Sequence, residues 1–193
     1  IRHLVTYLLN CLGIIFLFVL IYQRFRKYSF SFLGVAIFIC SPRIFSDLFY
    51  NNKDMFFLTS YVMSSFFTLR FLTKPTMKTG AVAGISIGLA MSLRVAGGFV
   101  LFAAFVILLF FRNSIRIREK ILSLVGLSVS ALISLLFFMP YFWNDTLQRI
   151  WEYVFRSMNF NWVGNVYFAG KYVPSNDLPW SYIPLWVSVT TPI

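Results

Sequence analysis

The sequence predicts an all-α fold: a polytopic transmembrane helix bundle with an aromatic loop region on its outer face. Composition is the first reason. Of 193 residues, 59% are hydrophobic and 20% aromatic, and mean hydropathy is +0.77. A soluble domain of this size cannot bury that much apolar surface. The second reason is spacing, because long apolar stretches alternate with short polar loops. The third is charge. Every second loop is basic: Arg24, Arg26 and Lys27; then Arg70, Lys74 and Lys78; then Arg112, Arg116, Arg118 and Lys120, beside Glu119. The other loops hold Asp47, Asp54, Asp145, Glu152 and Asp177, five of the six acids. Under the positive-inside rule the basic loops are cytoplasmic, and nearly all acid/base chemistry falls on the opposite face.

The net charge of +11 would by itself point to nucleic acid. Ten of the seventeen Lys and Arg sit in the three basic loops beside apolar spans, so the charge reads as topology. Membrane lipids are the expected surroundings and nucleic acid is not an expected partner. Cys11 and Cys40 fall within spans, where buried thiols are expected, and carry no information on redox compartment.

The elements follow in order. Span one covers 4–22 and runs inward to the first basic loop. Span two, 30–40, is short for a full crossing and stops at Pro42. An outer segment, 43–54, leads to span three at 55–72. Span four, 79–93, carries Gly80, Gly84 and Gly88, a four-residue spacing that lets helix backbones approach closely in lipid. Arg94 and Ala96-Gly97-Gly98 predict a helix break before span five, 99–111. Span six, 121–139, ends at Pro140. The outer loop, 141–180, is polar and aromatic, and all five tryptophans fall at or after Trp143. Within it, 145–156 reads as an amphipathic helix on the membrane surface, followed by a loop rich in Gly, Asn and Pro. The whole outer loop, 141–180, is expected to be poorly ordered in isolation, since its stretch 159–165 has few apolar residues to anchor it. A last span, 180–193, is cut off, and the whole of 1–193 reads as part of one transmembrane domain, a piece of a longer protein. Short spans and glycine breaks point to helices that end inside the membrane around a cavity.

The richest candidate site is Asn51-Asn52-Lys53-Asp54 at the outer mouth of span three. A carboxylate there can accept a proton from a nucleophile, bind a metal or orient a hydroxyl. It also suits the positive end of the helix as a cap. Asp47 lies seven residues earlier and would share a face with Asp54 on an unbroken helix, which the two asparagines oppose. Arg94, between two apolar spans, fits a phosphate through paired hydrogen bonds, or alternatively snorkels to the outer interface or pairs with Asp47 or Asp54. Lys53 is a second candidate for the same phosphate. His3 is the lone histidine, and with scattered acids it gives a weak metal signal on which no metal site is assigned. There is no P-loop, no GxSxG and no nucleophilic triad.

Three stretches resemble the bacterial membrane glycosyltransferases of the GT-C superfamily, which include the family 39-like protein O-mannosyltransferases and the aminoarabinose transferases. They are Ser41-Pro-Arg-Ile-Phe-Ser-Asp-Leu-Phe-Tyr-Asn-Asn-Lys-Asp54, Gly88-Leu-Ala-Met-Ser-Leu-Arg94, and Leu178-Pro-Trp-Ser-Tyr-Ile-Pro184 continuing to Thr190-Thr-Pro192. The resemblance implies a bundle of roughly a dozen helices and an integral protein of the bacterial inner membrane. It implies transfer of a sugar from a polyprenyl-phosphate carrier to a lipid, glycan or protein acceptor on the periplasmic face. It places Asp54 at a second acidic position of the cavity and Arg94 at a basic one. The family's principal catalytic aspartate is expected upstream of Ile1, so residues 1–193 alone are expected to be inactive. Should the catalytic set lie within these residues instead, Asp47, Asp54 and Glu152 are the first candidates. Some relatives use a divalent metal and others none, so no cofactor is assigned. A polytopic transporter or lipid flippase is one alternative reading, and a non-catalytic membrane subunit another.

The charge sorting makes a topological prediction. Cysteines introduced in loops 23–28, 73–78 and 112–120 should label from the cytoplasm, and those in 41–54 and 141–180 from outside. Labelling of residues 52 and 116 from the same side would overturn the arrangement.

Overall fold

The computed structural model describes residues 2–112, 115–159 and 163–190. The chain forms two compact units, Ile1–Trp151 and Glu152–Ile193.

The first unit is helical. Helix α1 (Arg2–Phe25) is long and apolar enough to cross a membrane, as are α4 (Asp54–Thr73) and α7 (Ile117–Phe138). With 24 residues, α1 extends about 36 Å at the α-helical rise. It stops where Arg26 takes a left-handed conformation (φ 56°) and its N–H bonds the Tyr22 carbonyl at 2.8 Å. Helix α2 (Tyr28–Cys40) returns along it through the ring pairs Tyr22–Tyr28, Phe25–Phe30 and Phe18–Phe32. At Ser41–Pro42 the chain bends by 75° into α3 (Pro42–Tyr50). Proline lacks the N–H that would continue α2, yet suits the first turn of a new helix. The outer segment is thus helical over 42–50.

Helices α1, α3 and α4 meet at Asn10. This buried side chain donates from Nδ2 to the Leu48 carbonyl (3.0 Å) and accepts at Oδ1 from the Thr59 hydroxyl (3.3 Å). One amide therefore ties both helices that lead to the Asn51–Asp54 turn.

Helix α5 (Met77–Leu93) begins with a reciprocal cap. Thr76 Oγ1 accepts from Thr79 N–H at 3.2 Å, and Thr79 Oγ1 accepts from Thr76 N–H at 3.0 Å. It runs parallel to α7, and the glycines explain how closely. A Cβ at Gly80, Gly84 or Gly88 would strike the carbonyls of Ser123, Leu127 and Ala131 respectively, one turn after another. In lipid no hydrophobic force draws two apolar helices together, so close van der Waals contact and buried hydrogen bonds must do it. Ser134 supplies such a bond to the Ile85 carbonyl at 2.8 Å. The expected break comes at Arg94 and a 3-10 turn, Val95–Gly97; α6 (Gly98–Val106) follows and ends in a π-helical turn, Ile107–Phe111. Phe71, Ile87, Ala104, Leu108 and Leu127 form the centre of the core, drawn from all four helices.

Helix α8 (Thr146–Met158) carries Leu147, Ile150, Trp151, Val154, Phe155 and Met158 at helical spacing. In the second unit, the stretch read as a loop is a hairpin, β1 (Asn165–Phe168) with β2 (Lys171–Pro174). Ala169 and Gly170 both take positive φ (49° and 81°), which matches the right-handed strand twist and closes a two-residue turn. The apolar alternation in Val-Tyr-Phe and Tyr-Val-Pro is the signal that the loop reading passed over. Residues 160–162 of the stretch expected to be poorly ordered lie outside the described residues. Helix α9 (Tyr182–Thr190) occupies the last span, of which 191–193 also lie outside them.

The glycine stripe makes a stability prediction. Gly84→Ala should cost about 1–3 kcal/mol, since the added methyl meets backbone that cannot yield. Gly98→Ala should be nearly silent, because the nearest atom to its Cβ would be Met91 Cε at 4.0 Å. Thermal unfolding of both variants in detergent checks this, and equal melting shifts would contradict the packing account.

Candidate active site

The site is assembled at two interruptions in helical structure. The first is Asn51, whose backbone (φ −91°, ψ 87°) leaves α3. Its Oδ1 accepts from the N–H groups of Lys53 (3.2 Å) and Asp54 (3.0 Å), satisfying donors that the start of α4 would leave bare. Its Nδ2 donates to Asp54 Oδ2 at 3.1 Å. The capping role considered for Asp54 therefore falls to Asn51, and the Asp54 carboxylate is held by side-chain donors instead.

The second interruption is Arg94, in extended conformation (φ −151°, ψ 140°) between α5 and the 3-10 turn. The chain reverses so tightly that a Cβ on Gly97 would sit 2.6 Å from Met91 N and 2.7 Å from the Ala90 carbonyl carbon. Only glycine fits there, and that fit fixes where Arg94 emerges. Its Nη2 donates to Asp54 Oδ1 in an ion pair. Of the two acids considered as partners for Arg94, Asp54 is the one it meets.

The two side chains remain 54% and 48% exposed, so their attraction is screened by solvent and the pair stays open to a ligand. A guanidinium has five N–H donors, and only one of these is used by Asp54. Arg43, at the start of α3, also acts on the Asp54 carboxylate through its charge. α4 starts at Asp54 and ends beside Lys74; α5 starts beside Lys78 and ends at Arg94. The pair therefore stands at the end of the bundle opposite the basic loops.

The structure thus joins Asp54 and Arg94 but leaves the other candidates aside. Asp47 is half-buried on α3 and contributes its backbone carbonyl, which accepts the Asn51 N–H at 3.0 Å, while its carboxylate is not bonded to Asn51, Asp54 or Arg94. Lys53 contributes its backbone N–H, while its side chain is exposed. Glu152 stands on α8, in the second unit. His3 packs on the Tyr50 ring with its Nδ1 3.1 Å from the Phe49 carbonyl oxygen. Among the described residues, no three His, Cys, Asp or Glu side chains group to hold a metal ion. Sequence reasoning missed the double role of Asn51 and the contribution of Arg43. The Asn-x-x-Asp spacing at the mouth of a span was the available signal for the first, since it sets a capping side chain three residues before a carboxylate.

Apolar helices that satisfy their own backbone, with a carboxylate–guanidinium pair at one end, define an integral membrane protein built around a polar site at the bundle's rim. The family model for dolichyl-phosphate-mannose-protein mannosyltransferase matches residues 2–143, and the chain belongs to that family. It is a membrane glycosyltransferase of the GT-C type. Two of the stretches that carried the resemblance, 41–54 and 88–94, lie within the match, while 178–184 and 190–192 lie beyond it. No curated protein and no solved structure matches the chain.

The division of labour between Asn51 and Asp54 is testable. Asn51→Ala should speed hydrogen exchange at the amides of Lys53 and Asp54 and cost about 1 kcal/mol, the worth of a lost cap. Asp54→Asn should leave those amides protected. Equal exchange in the two variants would return the cap to Asp54.

Proposed function

We propose that this enzyme transfers a sugar from a polyprenyl-phosphate donor to an acceptor hydroxyl on the non-cytoplasmic face, with Arg94 holding the donor phosphate and Asp54 serving the reacting groups. The observation that carries this reading is the half-exposed Asp54–Arg94 pair at the bundle end opposite the basic loops. The Asp54 carboxylate pairs with a guanidinium suited to phosphate. An arriving phosphate competes for that guanidinium and frees the carboxylate beside the acceptor. The acceptor oxygen then bonds to the anomeric carbon, the bond from that carbon to the phosphate oxygen breaks, and the hydroxyl proton passes to a carboxylate. Arginine steadies the departing phosphate as its charge grows. Lys53 and Arg43 are further cations for that phosphate, and Asp47 a further carboxylate near the rim.

The lipid half of the donor is supported by an open apolar face along α6 and the turn that follows it, lined by Leu101, Phe102, Phe105 and Leu109 among others. It begins at Gly98, four residues past Arg94, which suits a hydrocarbon chain attached to a phosphate at the rim. The buried polar side chains Asn10 and Ser134 are engaged in binding helices together, a pattern that favours chemistry at the rim over a conduction path.

Arg94→Lys keeps the charge but loses the planar fork, so the apparent KM for donor should rise about tenfold, the scale of one charge-assisted hydrogen bond, with acceptor dependence unchanged. Asp54→Asn should lower kcat by about a hundredfold or more with the protein still folded. Transfer assays in the full-length enzyme with a purified lipid-linked donor measure both. Normal donor titration in a well-folded Arg94→Lys protein would remove the phosphate role.

A further inference from the structure

The opposite end of the bundle carries a second charged assembly that catalysis does not use. Three segments contribute to it at different depths, for α5 begins beside Gly126, about 13 Å along α7 from Ile117. Arg70 lies in the last turn of α4, and Lys74 follows it. Lys78 lies in the first turn of α5, which is pressed against α7 where a Cβ on Gly126 would approach the Met77 carbonyl at 2.7 Å. Arg116 and Arg118 flank the start of α7.

Two other cations of this region face inward. Arg112 donates from Nε to the Leu72 carbonyl at 2.9 Å, closing the end of α4. The buried Lys120 reaches the Leu109 carbonyl, at 3.3 Å, within the π-helical turn. These satisfy backbone oxygens that the helix ends leave bare. The remaining five are exposed, and among the described residues none has an acid within ion-pair distance. Glu119 is the sole acid in the three basic loops.

The cations alternate with exposed apolar side chains. Phe111 is 75% exposed, Ile117 68% and Met77 61%. Ile117 stands between Arg116 and Arg118 in the chain. A soluble anion has no use for such neighbours, whereas a phospholipid presents a phosphate and an acyl chain together.

We propose that this end of the bundle binds an anionic phospholipid of the adjoining leaflet, with Arg116 and Arg118 holding its phosphate and Phe111, Ile117 and Met77 lying along its chains. Arginine suits the task because its fork pairs with two phosphate oxygens. The site is separate from the Asp54–Arg94 pair, and its occupancy does not depend on the transfer reaction.

The test compares the full chain in nanodiscs of pure phosphatidylcholine with nanodiscs of an equimolar mixture of phosphatidylglycerol and phosphatidylcholine. The protein should melt at a higher temperature in the mixture, and native mass spectrometry should show phosphatidylglycerol retained in preference to phosphatidylcholine. The double variant Arg116→Gln/Arg118→Gln should lose that preference by about fivefold per cation removed, while melting normally in pure phosphatidylcholine. Lys120→Gln should instead lower the melting temperature equally in both membranes, as expected for a backbone cap. Equal melting of the unaltered chain in the two membranes, or a double variant that keeps its preference, would overturn the proposal. So would full reproduction of the stabilisation by inorganic phosphate in pure phosphatidylcholine, which would make this a free-anion site.

Discussion

Hydrocarbon offers no partner to a bare N–H or C=O, and that constraint shapes nearly every feature of this chain. Serine hydroxyls turn back on their own helices, as Ser60 does to Phe56 and Ser130 to Gly126. Asn10 spends both ends of its amide on α3 and α4. Arg112 and Lys120 carry charge to backbone oxygens at helix ends. Two buried hydroxyls, Ser31 and Thr68, have no partner among the described residues and stand as exceptions. A backbone that must close on itself leaves few places where chemistry can be done. They are the places where a helix is allowed to stop.

Asn51 and Arg94 are two such stops, and they face each other. The first is made by a side chain that caps the next helix, the second by a glycine turn that admits no Cβ. Two separate local rules thus bring a carboxylate from one helix start to a guanidinium at another helix end, forty residues apart in the chain. The parallel α5 and α7 lock this geometry from behind, because their glycine–carbonyl contacts fix how far Arg94 projects along the bundle. Packing and function meet in α5: its buried face determines depth, and its last residue carries the charge.

The sequence made the helices legible because hydropathy and charge sorting are properties of the chain alone. Spans one, three and six differ from their helices by a few residues at the ends. The glycine stripe was legible as packing, since a four-residue spacing on an apolar span has few other uses. The pairing of Asp54 with Arg94 was one of several open alternatives, because spacing cannot say which of two acids a distant arginine meets. The role of Asn51 was hidden by the aspartate beside it, as both residue types cap helices well. The hairpin at 165–174 was masked by its own composition, where glycine, asparagine and proline outweighed a short β pattern.

The central claim is that Asp54 and Arg94 work as a unit, each holding the other until donor arrives. A double-mutant cycle on kcat/KM for the lipid-linked donor tests it most directly, using Asp54→Asn, Arg94→Gln and the two combined in the full-length enzyme. A coupled pair should show an interaction energy of about 1–3 kcal/mol, with the double variant scarcely worse than the poorer single one. Fully additive losses would contradict the account, since they would mean that carboxylate and guanidinium act independently despite their contact.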